Sequence, residues 1–213
     1  MRPNSITLAA LTNDANGICV DQTTGGAADL TLDGALVSGG VATAAAAQKV
    51  SVEGTGNNSG ITFTIAGANA DGVTISEVLT GANNGTATTT AYFVTVTSIA
   101  ASAAVTGNVE IGWLSANGAV TKSFVTDWTQ SPYNQSLFVK SGTLTYTVQH
   151  TEDDPEGTYT SSFSENAEWR STTDLTALTA SNEGNIAFPV RAVRGQITAY
   201  TSGTLRLTSI QGG

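Results

Sequence analysis

The chain has one cysteine, Cys19, and one histidine, His150, in 213 residues. A single thiol excludes an intrachain disulfide, so stability must come from packing alone. A single histidine without a reactive cysteine leaves nothing to build a Cys/His zinc site or a cysteine protease, and His150 is read as a structural residue at a core edge rather than a general base. Basic residues are also scarce. The eight lysines and arginines form no cluster against seventeen acidic residues, and the net charge of −9 argues against a phosphate-backbone footprint, hence no nucleic-acid partner. No apolar run follows Met-Arg-Pro-Asn-Ser at the start, so neither a signal peptide nor a membrane span is expected. Charged residues make up only 12% of the chain, which leaves a surface of hydroxyls and small groups suited to close packing against neighbours.

What is abundant is threonine at every second position. In Leu144 to Thr151 the residues Leu144, Tyr146, Val148 and His150 face one way, while Thr145, Thr147, Gln149 and Thr151, with Thr143 before them, face the other. That is the two-residue period of a half-buried strand with a wet outer face. Ile61, Phe63 and Ile65 repeat the recipe, Asp71-Gly72 marks a turn, and Val73 and Ile75 continue, which predicts a hairpin or tight meander. Further strands are expected at Ile6 to Leu11, Ile18 to Val20, Leu30 to Val37, Ala91 to Ile99, Val109 to Ile111, Val120 to Trp128, Leu137 to Val139, Asn185 to Val193, Gln196 to Tyr200 and Thr204 to Ile210. Ala42 to Lys49 has the best helix propensity, and is read as the lead-in to a strand with a short helix as the alternative.

The fold expected is all-β: two β-sandwich or jelly-roll-like domains of antiparallel strands with little or no helix. Asn117-Gly118 is the expected boundary, giving residues 1–118 as a Thr/Gly/Ala-rich domain and 119–213 as an aromatic-richer one. Only Arg2 and Lys49 are basic before it, against eight acidic residues, and most aromatic residues come after it. Glu152 to Ser181 is an acidic, Ser/Thr-rich excursion expected on the surface.

No stretch carries a catalytic signature. There is no P-loop, and Gly54 to Gly60 misses the dinucleotide spacing. Glu152, Asp153, Asp154 and Glu156 match no calcium-loop spacing and are interrupted by Pro155, so they are read as a solvated turn or a docking patch for a basic partner. No catalytic, cofactor or metal residue is assigned. The expected partner contacts are Glu152, Asp153, Asp154, Arg191 and Arg194, with Trp128 or Trp169 as an aromatic anchor.

Two stretches resemble sequences of tailed-bacteriophage structural proteins. One runs from Gly60-Ile-Thr-Phe-Thr-Ile-Ala-Gly through Asp71-Gly, Glu77-Val-Leu-Thr-Gly and Asn84-Gly-Thr to Val96-Thr-Ser-Ile. The other joins Thr145-Tyr-Thr-Val-Gln-His-Thr-Glu-Asp-Asp-Pro, Trp169, Phe188-Pro-Val-Arg-Ala-Val-Arg and Thr198-Ala-Tyr-Thr-Ser-Gly-Thr-Leu-Arg-Leu-Thr. The resemblance implies a non-enzymatic virion component, assembled in the host cytoplasm. The reading taken is a capsid decoration, or cement, protein that binds the major capsid protein, with no cofactor and no membrane or nucleic-acid partner. It is expected to be a homo-oligomer, with a trimer favoured. The alternatives are a tail, collar or fibre component, possibly receptor-binding, and a carbohydrate-active enzyme or lectin on a sandwich fold.

Overall fold

The computed structural model describes residues 4–127, 133–155 and 167–211, with 133–141 and 211 described by backbone alone. The strands in chain order are β1 (Asn4–Leu8), β2 (Asp14–Gln22), β3 (Ala28–Asp29), β4 (Val37–Ser38), β5 (Val41–Gln48), β6 (Val50–Asn57), β7 (Thr62–Ala68), β8 (Thr74–Thr80), β9 (Asn83–Thr88) and β10 (Phe93–Ala101). There follow β11 (Val109–Trp113), β12 (Ala119–Val120), β13 (Phe124–Val125), β14 (Tyr133–Ser141), β15 (Leu144–Thr151), β16 (Arg170–Ser171), β17 (Asn182–Ile186), β18 (Ala192–Tyr200) and β19 (Thr204–Gln211). The only helical turns among the described residues are short 3₁₀ segments at Ser115–Asn117 and Thr173–Leu175. The protein is all-β and antiparallel.

The chain divides into two compact units, Thr12–Asn117 and Met1–Leu11 with Gly118–Gly213. The opening residues therefore depart from the expected first domain. The reason is β1, which pairs along its whole length with β19, from Asn4 opposite Ser209 to Leu8 opposite Leu205.

In the Thr12–Asn117 unit, one sheet has the order β2-β11-β6-β9, and the other runs β5-β10-β7-β8 with β4 on β5 and β3 on β10. Alternation aims Ile18, Val50, Val52, Val109, Ile111 and Trp113 from the first sheet and Phe63, Ile65, Phe93, Val96 and Ile99 from the second into one buried cluster. Trp113 and Phe63 are fully buried, and truncating either to alanine should cost about 3–5 kcal/mol. The β7–β8 hairpin forms as expected, with Gly72 at φ +82 in its turn, a backbone state that glycine adopts without strain.

Three expectations change here. The alanines from Ala42 to Ala47 form a strand of their own, β5, rather than a lead-in to the strand that starts at Val50; Ala42, Ala44 and Ala47 are buried, so tertiary pairing outweighs their helix propensity. Leu30 to Val37 forms no continuous strand. Leu36 packs instead beside Gly17, and the Leu36 amide donates to the Gly17 carbonyl at 2.9 Å. Gly81-Ala-Asn-Asn-Gly85 reads as a turn from its glycines and asparagines, yet it already contains the start of β9.

In the other unit, one sheet has the order β1-β19-β14-β17; in the second, β15 lies between β16 and β18, while β12 and β13 follow each other along the far side of β18. Leu8, Ile186, Leu205 and Leu207 from the first sheet are buried, as are Leu144, Tyr146, Val148, Val193 and Ile197 from the second. A methyl added at Gly195 of β18 would sit 3.4 Å from Leu205 Cδ2, so the two inner faces meet there. The described part of Val120 to Trp128, up to Asp127, holds two short strands rather than one, because Thr121 turns its hydroxyl to accept the Gly195 amide at 3.0 Å. Asn185 to Val193 is also broken. Phe188-Pro189 interrupts it, consistent with proline's missing N–H, and β18 begins only at Ala192.

The outer face of β15 is not wet. Thr147 is 3% exposed and Thr151 is 1% exposed, because part of the expected surface excursion folds back over them. Leu178 bridges to Tyr146, Ala177 donates to Thr147 Oγ1 at 3.0 Å, and Leu175 is fully buried.

Candidate functional site

The charged residues singled out in the sequence converge on the end of β15. The strand runs out at Thr151, whose hydroxyl accepts the Asp153 amide at 3.0 Å and so turns the chain at once. Asp153 then holds the returning segment, its Oδ2 accepting the Glu168 amide at 2.7 Å. Asp154 pairs with Arg191 at 3.5 Å, the two side chains 10% and 18% exposed, and the Arg191 amide donates to the Thr151 carbonyl at 2.8 Å. These groups pin loops to the sheet. Glu152 stays exposed.

A second assembly sits on the outer face. Arg194 lies opposite Gln149 in the β15–β18 pairing and donates from Nε to Gln149 Oε1 at 2.9 Å. The guanidinium carbon stands 4.1 Å from the centre of the Trp169 ring, so Trp169, Arg194 and Gln149 are joined in series. Trp169 is therefore half-covered by its own unit rather than free-standing. Trp128, the other expected anchor, lies outside the described residues, as does Glu156.

His150 is 8% exposed on the opposite face. Its Nδ1 lies 3.0 Å from Thr172 Oγ1, its one hydrogen bond among the described residues, and Phe188 packs edge-on with ring centres 5.3 Å apart. Burial pulls its pKa below the ordinary 6.5; Glu152 opposes this and Arg170 adds to it. His150, Thr151, Glu152, Asp153, Glu168 and Arg170 line a hollow of about 40 Å³. That is room for a few waters, far below the roughly 300 Å³ at which small-molecule pockets begin. A histidine beside a hydroxyl has the first ingredient of an activated nucleophile; among the described residues no third group orients the ring, and Thr172 is itself buried.

Other features were not anticipated. Glu110 on β11 lies directly opposite Glu53 on β6, an unfavourable like-charge pairing. Partial burial raises the Glu110 pKa above 4.5, Glu53, Asp21 and Asp14 raise it further, and a hydrogen bond from Asn16 counters them. Cys19 is buried, and burial with the nearby Asp33 pushes its thiol up to about 12. Phe188, 46% exposed, was noted in the sequence only as part of a motif. Among the described residues no group of three or more His, Cys, Asp or Glu side chains is placed to hold a metal ion, and no helix is long and apolar enough to cross a membrane. Compared with family models, curated proteins and solved structures, the chain matches none.

Proposed function

We propose that this chain is a non-enzymatic structural protein of a tailed-bacteriophage particle, acting as a decoration protein that binds the major capsid protein and stiffens the head. The observation that carries the reading is where the charged residues are spent. Asp153, Asp154 and Arg191 fasten loops to a sheet and Arg194 stacks on Trp169, without enclosing a ligand-sized cavity, which supports a unit whose working parts are its outer surfaces. An interface of ordinary size, about 1,600 Å² in total, adds modest free energy per copy, and a shell repeats that gain over many equivalent sites. Removing the protein from particles is expected to lower their resistance to heat and internal pressure. Unchanged resistance would refute the head role, and a copy number of six to eighteen per particle would favour a tail or collar part.

A further inference from the structure

We propose that the hollow at the end of β15 is a docking socket for one lysine side chain of a basic partner protein. The inference holds whatever assembly the chain serves, so its failure would leave the head role standing, and the reverse. Glu152, Asp153 and Glu168 stand around the hollow against a single guanidinium, that of Arg170, so the field inside favours a cation. Arg170 is itself taken up by Glu168 at 3.4 Å, in a pair whose side chains are both well exposed.

An acidic rim alone would be a solvated turn. What distinguishes this one is His150, which is buried and yet lines the hollow. Its Nδ1 is engaged with Thr172 Oγ1, while Nε2 has no hydrogen-bond partner among the described residues and is not sealed off from solvent. For a ring so buried, the hollow is where that nitrogen finds a partner. With the proton on Nδ1 and donated to Thr172, Nε2 presents a lone pair. Burial holds the ring neutral at neutral pH; Glu152 favours its charged form and Arg170 disfavours it.

The occupant follows from the acceptors. Asp153 spends Oδ2 on the Glu168 amide and keeps Oδ1, and Glu152 is exposed, with no hydrogen bond or ion pair among the described residues. Together with His150 Nε2 these are three acceptors, two of them charged, and an ammonium carries three donors on a head about the size of a water. A hollow of about 40 Å³ admits that head and is too small for a planar guanidinium.

Because His150 is the sole histidine, its imidazole gives one isolated set of NMR signals. At neutral pH and low salt the ring nitrogen shifts of the full chain are expected to place the proton on Nδ1. Titration with Nα-acetyl-lysine methylamide to about 50 mM is expected to move these signals along a saturating curve, with a Kd of about 1–10 mM. The norleucine derivative, which lacks only the ammonium, should leave them still, and the arginine derivative should bind at least about fivefold more weakly. Glu152→Gln is expected to weaken lysine binding by about fivefold or more, and Glu183→Gln, an exposed position on β17, to leave it unchanged. Equal urea midpoints establish that the variants fold; should Glu152→Gln fail to fold, the tautomer and the three ligands on the unaltered chain decide alone. A proton on Nε2, signals that do not move or that move equally with the norleucine or arginine derivative, or lysine binding untouched by Glu152→Gln would overturn the proposal.

Discussion

The side-chain amide of Gln48 and the backbone of Thr12 are joined by two hydrogen bonds: the Thr12 amide donates to Oε1 at 2.7 Å, and Nε2 donates to the Thr12 carbonyl at 2.9 Å. A glutamine thus supplies a ladder rung where no strand reaches. The device recurs twice in the same unit, with Gln22 clasping Thr31 at 2.8 and 2.9 Å and Asn58 clasping Thr106 at 2.9 and 3.2 Å.

Burial decides what each clasp contributes. Gln48 is fully buried and Thr12 half-buried, so Gln48→Met leaves the Thr12 amide and carbonyl with little access to water and is expected to lower stability by about 1–3 kcal/mol. The Gln22 clasp is exposed, and water can replace it, so Gln22→Met is expected to cost under about 1 kcal/mol. Urea titration of both variants measures the difference; equal costs would contradict the account.

Trp169 over Arg194 should tie the returning segment to the sheet. Trp169→Ala is expected to cost about 1 kcal/mol, and Arg194→Lys a similar amount, since lysine cannot both stack flat and reach Gln149. A double-mutant cycle should return a coupling energy of about 0.5–1 kcal/mol, and a coupling of zero would mean the stack is incidental.

His150 sets a pH window. Its folded pKa lies below the unfolded value near 6.5, so the unfolded chain takes up the proton first. The stability this neutral side chain contributes is complete above pH 6.5 and is lost as pH falls through the lower folded value. The stability difference between the unaltered chain and His150→Gln should therefore shrink below about pH 6.5. A difference that stays constant from pH 5 to 8 would contradict it.

Glu110 works in the opposite sense. Its raised pKa means the folded state binds the proton more tightly, so the charged carboxylate costs stability at neutral pH and the cost vanishes below about 4.5. Glu110→Gln is expected to gain a few tenths of a kcal/mol at pH 7, less in high salt. A loss at pH 7 would show that the hydrogen bond from Asn16 outweighs the crowding by Glu53.

The strands were legible because their period is local: Thr-Leu-Thr-Tyr-Thr-Val needs no partner to read as β, and β15 and the β7–β8 hairpin follow from it. What failed was everything set by distant contact. The alternation in β15 implied a wet outer face, yet Ala177 and Leu178 cover it from about thirty residues away. The alanines of β5 read as helix formers until their strand partners on β10 are known. At the site, the acidic run and the Arg191/Arg194 pair stood out by composition, and pairing between the two was open to the sequence, but which carboxylate Arg191 would meet and that Trp169 would lie over Arg194 were not. The amide clasps left no trace at all, since Gln48 and Thr12 are 36 positions apart.

The central proposal is that this protein works by repeated adhesion of its outer surfaces to a phage shell. Quantitative mass spectrometry of purified phage particles carrying this chain, with the major capsid protein as internal standard, addresses it most directly. The account predicts hundreds of copies per particle in a fixed ratio to the capsid protein; absence from the particle, or a handful of copies, would contradict it.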